Sequence, residues 1–210
     1  MAVLEQEMRQ ASELTVTRMT RHLFSREDYH ALAAVGLLND QRVELIEGEI
    51  IDMAPIGDWH AAVTHPMAVL LEELFGSGFS ARNQVPIMVG GDRQPSEPQP
   101  DITVVVGAWR DYGARKPGPK DIVLVVEVAD TSLEFDRNIK ARLYAAAGIP
   151  EYWIVNLVDN CLEVHRNPAN AAYGAVNIYK PTDRVTPLHA PGGSISVAEF
   201  LPNQKTALAG

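Results

Sequence analysis

The sequence predicts an α/β (α+β) fold in which helices flank a mixed β-sheet. An apolar run at residues 122–126 leads into a helical pattern at 132–147 and then into a second apolar run at 151–155. Strand, helix and strand in this order are typical of a crossover between parallel strands. A β-branched run at residues 102–106 predicts a further strand. An apolar stripe at helical spacing predicts a helix over residues 59–75.

Composition and chain length indicate a globular protein. The chain has 210 residues, of which 46% are hydrophobic and 21% are charged. Apolar runs stay well short of the ~20 residues that a membrane span needs, and no secretory signal is visible, so we expect a cytoplasmic protein. Cys161 is the single cysteine, which rules out an internal disulfide. We expect an N-terminal arm at residues 1–20 and a single domain at residues 21–205.

The charge balance counts against avid, non-specific nucleic-acid binding. The formal net charge is −9 and the pI is near 5.1, whereas such binding relies on Lys and Arg neutralising phosphates. Four basic residues, Arg110, Arg115, Lys116 and Lys120, do cluster in one Gly/Pro-rich loop. They form either a local basic patch or a set of solvated loop charges, and the sequence leaves both open.

The remaining elements follow from caps, turns and alternation. Ser25 and Asp28 have capping-box spacing at the start of a helix that ends at Gly36. Pro66 falls inside the predicted helix at 59–75 and is expected either to kink it or to shift its true start. A strand is predicted at residues 79–89, with Gln84 near its middle. Further strands are predicted at residues 42–53 (two strands around a turn), 161–166 and 175–179.

Two acids and a lysine in the central unit need an explanation. Glu127 continues the apolar run on the face shared by Val123 and Val125, so it needs a metal ion, a cation or several donors to stay charged. At ~100° per residue, Asp136 and Lys140 lie on the apolar face of the next helix, one turn apart. They either pair with each other or complete a larger site.

The order of these groups points to phosphodiester hydrolysis. Asp101 opens one β-rich run and Glu127 nearly ends another. Carboxylates on neighbouring strands supply the hard oxygen ligands that Mg²⁺ or Mn²⁺ prefers. A nearby lysine can orient or help to deprotonate a water molecule and offset charge on a pentavalent phosphate.

Three segments carry a resemblance to a known family: RVELIEGEIIDMAP, QPDITVV and VLVVEVADTSLEFDRNIKARLYAAAGIPEYWIV. Over residues 20–165 the chain resembles the PD-(D/E)XK nuclease superfamily, and more closely the Uma-type "putative restriction endonuclease" family. The resemblance implies a restriction-endonuclease-like αβββαβ core, with DNA as substrate, Mg²⁺ (or Mn²⁺) as cofactor and a homodimeric assembly. It implies catalytic roles for Asp101, Glu127 and Lys140, a supporting ligand role for Glu44, and supporting roles for His60, Asp136 and Gln84. From the residues alone, His60 also fits a structural histidine.

Two departures from the superfamily pattern matter. Ala129 stands where a lysine is expected two residues after the acid. The D-x-x-x-K-x-x-x-Y spacing of Asp136, Lys140 and Tyr144 resembles a relocated solution on the helix. Asp130 and Thr131 stand where the family more often has Ser-Pro, which places an extra acid beside the predicted metal site.

Three hypotheses remain at this point. The first is a metal-dependent endonuclease that hydrolyses DNA. The second is a weakly active or inactive protein of the nuclease fold that serves as a nucleic-acid-binding or regulatory module. The third is a transposon-related nuclease that works only inside a larger complex.

Overall fold

The computed structural model describes residues 21–190 and 192–202. Its centre is a six-stranded mixed sheet in the order β3-β4-β5-β6-β7-β8. The strands are β3 (Phe79–Asn83), β4 (Ile102–Val106), β5 (Ile122–Ala129), β6 (Glu151–Asn156), β7 (Cys161–Ala169) and β8 (Ala172–Tyr179). β5 and β6 pair in parallel, as predicted, and the other neighbours pair antiparallel. The predicted arm, residues 1–20, lies outside the described residues.

In the part of the chain that the structure describes, three helices and two small hairpins accompany the sheet. The helices are α1 (Arg26–Ala34), α2 (Asp58–Phe75) and α3 (residues 133–146), and the hairpin strands are β1 (Val43–Ile46), β2 (Glu49–Asp52), β9 (Arg184–Val185) and β10 (Ile195–Ser196). Short 3₁₀ turns lie at Trp109–Tyr112 and Val197–Glu199. The succession α2-β3-β4-β5-α3-β6 confirms the predicted αβββαβ core. None of the described helices combines the length and the apolarity that crossing a bilayer requires.

The central strands β4, β5 and β6 are buried on both faces of the sheet, whereas β8 is largely exposed. On one face, Val63, Met67 and Leu71 of α2 pack with residues of β4, β5 and β6 in one apolar cluster. On the other face, Leu143 and Tyr144 of α3 belong to a second cluster. Each fully buried aliphatic side chain contributes roughly 1.5–3 kcal/mol to stability. A charged residue in the middle of this sheet therefore has to find its partners within the protein.

A β-bulge corrects one prediction about β5. Val104 pairs with Leu124, but Val105 pairs with Ile122, so Val123 is the extra residue. Val123 packs in the same cluster as Leu124, not on the face of Glu127. The prediction that Val123 shares that face is wrong, because strict alternation fails at a bulge. Beyond the bulge, Val125 lies on the α3 side as predicted.

The strand predicted at residues 79–89 is too long. β3 ends at Asn83, and Gln84 has a φ of 47°, in the left-handed region that terminates a strand. Gln84 therefore follows the strand instead of lying near its middle. β3 is the end strand of the sheet, as the nearby Pro86 suggested. Pro66 lies within α2, which continues through it to Phe75.

Candidate active site

Antiparallel pairing of β4 and β5 brings the two predicted strand acids to one edge of the sheet. β4 begins where β5 ends, so Asp101, just before β4, lies beside the C-terminal part of β5 that carries Glu127. The backbone N–H of Val128 donates to Oδ2 of Asp101 at 2.8 Å. Both residues are buried: Asp101 is 7% exposed and Glu127 is 3% exposed.

Glu127 meets α3 across the sheet face. Lys140 Nζ donates to Oε1 of Glu127 at 3.0 Å, and the Tyr144 hydroxyl donates to the same oxygen at 2.8 Å. Lys140 and Tyr144 are one turn apart on the helix, and both are buried. The predicted orientation of Lys140 towards the sheet is what the structure has.

Lys140 also contacts two further carboxylates. Its Nζ atom lies 3.4 Å from Oε1 of Glu44 on β1 and 3.9 Å from Oδ1 of Asp136. Glu44 accepts a second contact from the backbone N–H of Gln99 at 3.1 Å, and Asp136 accepts from the Ser132 hydroxyl at 2.6 Å. Asp136 and Lys140 therefore do not form an isolated pair. They belong to a larger cluster of charged groups, in which Glu127 is the nearest partner of the lysine.

Asp101 is fixed by a second set of donors. His60, in the first turn of α2, has its Nε2 atom 2.9 Å from Oδ2 of Asp101. The Gln84 amide donates to Oδ1 at 3.2 Å, and the left-handed backbone of Gln84 turns the chain at that point. His60 Nδ1 is buried and has no hydrogen-bond partner in the described protein. His60 and Gln84 both position the Asp101 carboxylate.

The helix that carries the lysine is not a regular α-helix. Residues Asp136–Lys140 form a π-helical turn between α-helical segments at Leu133–Phe135 and Ala141–Ala146. Such turns are rare and are frequent at functional sites. The expectation of a continuous α-helix is wrong here, although Asp136 and Lys140 both face inward as predicted.

Burial and mutual repulsion shape the protonation of this cluster. Burial raises the pKa of Glu127 well above its usual value; Lys140 opposes this shift, and Asp136, Asp101 and Glu44 add to it. The pKa of Asp136 rises to about 6, chiefly through burial, against the lowering effects of Lys140 and Ser132. Burial lowers the pKa of Lys140, but its carboxylate neighbours outweigh burial and raise it overall. Lys140 therefore stays protonated, and its single positive charge does not balance the negative charges of the neighbouring acids.

Six of the seven predicted site residues line one pocket of about 280 Å³: Glu44, His60, Asp101, Glu127, Asp136 and Lys140. Gln84 lies behind this pocket and contacts Asp101. The donor set consists of carboxylate oxygens, which suit a hard divalent cation such as Mg²⁺. Its acids outnumber its cations, so the chemistry of the residues fits such an ion. In residues 21–190 and 192–202, however, no three His, Cys, Asp or Glu side chains already converge as a metal-ligand group.

Several predictions about nearby residues need adjustment. Asp130 is exposed and does not line the pocket, so the extra acid stays outside the cluster. Arg115 pairs with Asp121 at 2.6 Å and Lys116 pairs with the buried Glu97, so half of the basic loop is already neutralised. Sequence reasoning missed the donors to the cluster: the backbone N–H groups of Gln99 and Val128 and the Ser132 hydroxyl. For these donors the sequence offered one signal, which is that Ser132 lies four residues before Asp136.

A solved protein structure has a similar fold. The crystal structure of a "putative nuclease belonging to DUF820" from Anabaena variabilis is similar, with a TM-score of 0.61 and 16% sequence identity. The alignment covers 84% of this chain and 97% of that one. No curated protein matches the sequence. The sequence profile of the Uma2 family, described as "putative restriction endonuclease", matches residues 26–198. The chain belongs to the Uma2 family.

Proposed function

We propose that this protein is a metal-dependent endonuclease that hydrolyses phosphodiester bonds in DNA. The observation that carries the proposal is the convergence of Asp101, Glu127 and Lys140 on one buried pocket at the sheet edge. Membership of a family described as "putative restriction endonuclease" supports a nuclease function. The homodimer and the cytoplasmic location stay predictions.

Asp101, Glu127 and Glu44 are the residues that would hold Mg²⁺, or Mn²⁺ as a substitute. When bound there, such an ion would polarise the phosphate and lower the pKa of a water molecule. Hydrogen bonds from His60, Gln84 and the Val128 backbone already orient Asp101. This orientation is provided before substrate arrives, which is how preorganised sites lower a barrier.

Lys140 supplies the positive charge of the site. Burial lowers its pKa, but Glu127, Glu44 and Asp136 raise it overall, which supports the role of a cation over that of a general base. A cation at this point stabilises the charge that develops on the phosphate oxygens in the transition state. Tyr144 holds the Glu127 carboxylate that Lys140 contacts, and thereby positions both groups.

Cleavage of supercoiled plasmid DNA tests this proposal. The wild-type protein should cleave it with Mg²⁺ or Mn²⁺ and not with EDTA. Asp101→Asn and Glu127→Gln should each lower the rate by about 10²-fold or more, since each removes charge that the transition state needs. Asp121→Asn is the matched control, because Asp121 also immediately precedes a strand but pairs with Arg115 outside the pocket. Equal cleavage by all four proteins would indicate a contaminating nuclease and refute the proposal.

A second candidate function is a non-catalytic module that keeps the nuclease fold. The net charge of −9 favours it, together with the lack of a preformed metal-ligand group in residues 21–190 and 192–202. Saturable binding of nucleic acid or protein without cleavage under any divalent metal would support this candidate. Metal-dependent turnover that the Asp101 and Glu127 variants abolish would eliminate it.

A further inference from the structure

The ammonium of Lys140 contacts acids of the proposed metal site. Its ammonium is 3.0 Å from a Glu127 oxygen and 3.4 Å from a Glu44 oxygen, and these are two of the three acids that the proposed function assigns to the metal. We propose that Lys140 is the internal counter-ion of the metal-free site, and that a divalent cation binds only by displacing it from Glu44 and Glu127. This inference rests on the proposed metal site and adds to it a competition within the protein.

The first argument is charge. Asp136, at 3.9 Å from Nζ, joins Glu44 and Glu127, so the lysine contacts three carboxylates. Each of these side chains is more than nine-tenths buried. Removal of the ammonium without a replacement would leave several buried acids uncompensated, which is strongly unfavourable. The ammonium therefore stabilises the fold in the absence of metal.

The second argument is mutual exclusion. A divalent cation that binds Glu44 and Glu127 at ligand distances of ~2.0–2.3 Å would meet the ammonium at contact range. Two cations this close repel strongly in a pocket that is largely removed from water. Lys140 contacts Oε1 of both acids, and Oε1 of Glu127 also accepts from Tyr144, so the ammonium and a metal ion would compete for these two oxygens and one cation has to leave them.

The third argument is that Lys140 has somewhere to go. It lines the 280 Å³ pocket, so its flexible four-carbon stem can redirect the ammonium into that space. It also ends the π-helical turn Asp136–Lys140, a geometry less regular than the α-helix on either side. After displacement the ammonium would face the pocket, where a phosphate would enter. Metal binding would thereby turn a structural cation into one that faces substrate.

Metal affinity measured without catalysis tests the inference. Calorimetry with Ca²⁺ and Mn²⁺ would compare the wild-type protein with Lys140→Met, which is one atom shorter than lysine, fills most of the same volume and removes the charge. Removal of the competitor should tighten metal binding by about tenfold or more, whereas loss of a helpful residue would weaken it. The matched control is Lys116→Met, because Lys116 also pairs with a buried carboxylate, Glu97, outside the pocket. That variant should bind metal as the wild type does.

A second measurement needs no variant. Lys140 is 5% exposed and should resist acetylation by acetic anhydride in the metal-free protein. Addition of Ca²⁺ should increase its modification several-fold relative to the exposed Lys120, as read by mass spectrometry. This keeps the inference testable if Lys140→Met does not fold.

The outcomes separate this inference from the proposed function. Unchanged or weaker metal binding by Lys140→Met, or protection of Lys140 that Ca²⁺ does not alter, would overturn the competition. Metal-dependent DNA cleavage by the wild type would then still uphold the nuclease. If neither protein binds a divalent ion, both proposals fail. If only Lys140→Met binds the ion, the competition between Lys140 and the metal is confirmed, and Lys140 prevents metal binding in the wild-type protein.

Discussion

Single residues decide how this protein tolerates buried carboxylates. Glu127 and Asp136 share one lysine, and burial raises the pKa of both. For Glu163 on β7, burial again raises the pKa, but the polar contacts of His165, Arg137 and Asn156 outweigh burial and bring it to about 2. Arg137 donates to both oxygens of Glu163, and Asn156 adds a bond of 2.7 Å. The guanidinium of Arg137 and the amide of Asn156 thus make Glu163 a stabilising charge, whereas the single lysine among three acids leaves the candidate site short of positive charge.

The pKa of Glu163 predicts a pH-dependent loss of stability on substitution. A folded-state pKa of about 2 lies below the unfolded value of about 4.3, so the stabilisation is full above pH 4.3 and lost as the pH falls towards 2. Glu163→Gln should therefore lower the free energy of unfolding by about 1–3 kcal/mol at pH 7. The difference from wild type should shrink steadily below pH 4. Urea denaturation from pH 3 to pH 7 measures it.

Glu134→Gln is the control for this prediction. Glu134 also contacts Arg137, at 3.5 Å, but its side chain is 80% exposed, and exposed pairs contribute little. Its substitution should leave the unfolding curve nearly unchanged at every pH. A loss for Glu163→Gln that is the same at pH 3 and pH 7 would show that packing, not charge, explains the effect.

At the scale of elements, the pattern of the sequence predicted what depends on local chemistry. Residues 102–106 are a strand with the predicted bounds, and the capping box of Ser25 and Asp28 is present at α1. The inward face of Lys140 also followed from helical periodicity. The bulge at Val123 and the left-handed backbone of Gln84 could not be predicted in this way, because they depend on how the strands pair and end in the folded sheet. The contact of Glu44 with Lys140 joins residues 96 positions apart, which no local pattern encodes.

Helix α2 offers a test at the same scale. Pro66 is exposed in its interior and lacks the N–H that would bond to the carbonyl of Ala62. Pro66→Ala should restore that bond and raise the free energy of unfolding by about 1–3 kcal/mol. His65→Ala, at the exposed neighbouring position, should change it by less than about 0.5 kcal/mol. Chemical denaturation of both variants measures these changes in the free energy of unfolding. A destabilised Pro66→Ala protein would mean that the proline itself helps α2 to fit the sheet.

At the scale of the whole molecule, the acidic net charge opposes the binding of DNA, which is also negatively charged, although the family description suggests a nuclease. The net charge is −9, and many basic side chains already pair with acids within the fold: Arg21 with Glu49, Arg115 with Asp121, Arg137 with Glu163, Arg142 with Glu47 and Arg166 with Glu151. Eight of the fifteen Lys and Arg residues in the described part of the chain pair with acids, which reduces the number of cations available to neutralise phosphates. Under the proposed function, DNA binding should therefore depend on the acidic pocket and a divalent ion more than on a broad basic surface.

The salt dependence of DNA binding tests this distribution of charge. Each neutralised phosphate adds about −0.9 to the slope of log K against log salt, so an acidic chain in which about half of the described cations already pair with acids should give a slope shallower than about −4. Fluorescence anisotropy with labelled duplex DNA, in Ca²⁺ to prevent turnover, measures the slope. Replacing Ca²⁺ by EDTA should weaken binding, since the pocket acids then repel the phosphates. A slope near −8, or tighter binding in EDTA, would require a basic surface that the described residues do not show, and would place the principal DNA contacts in the remaining part of the chain or on a partner.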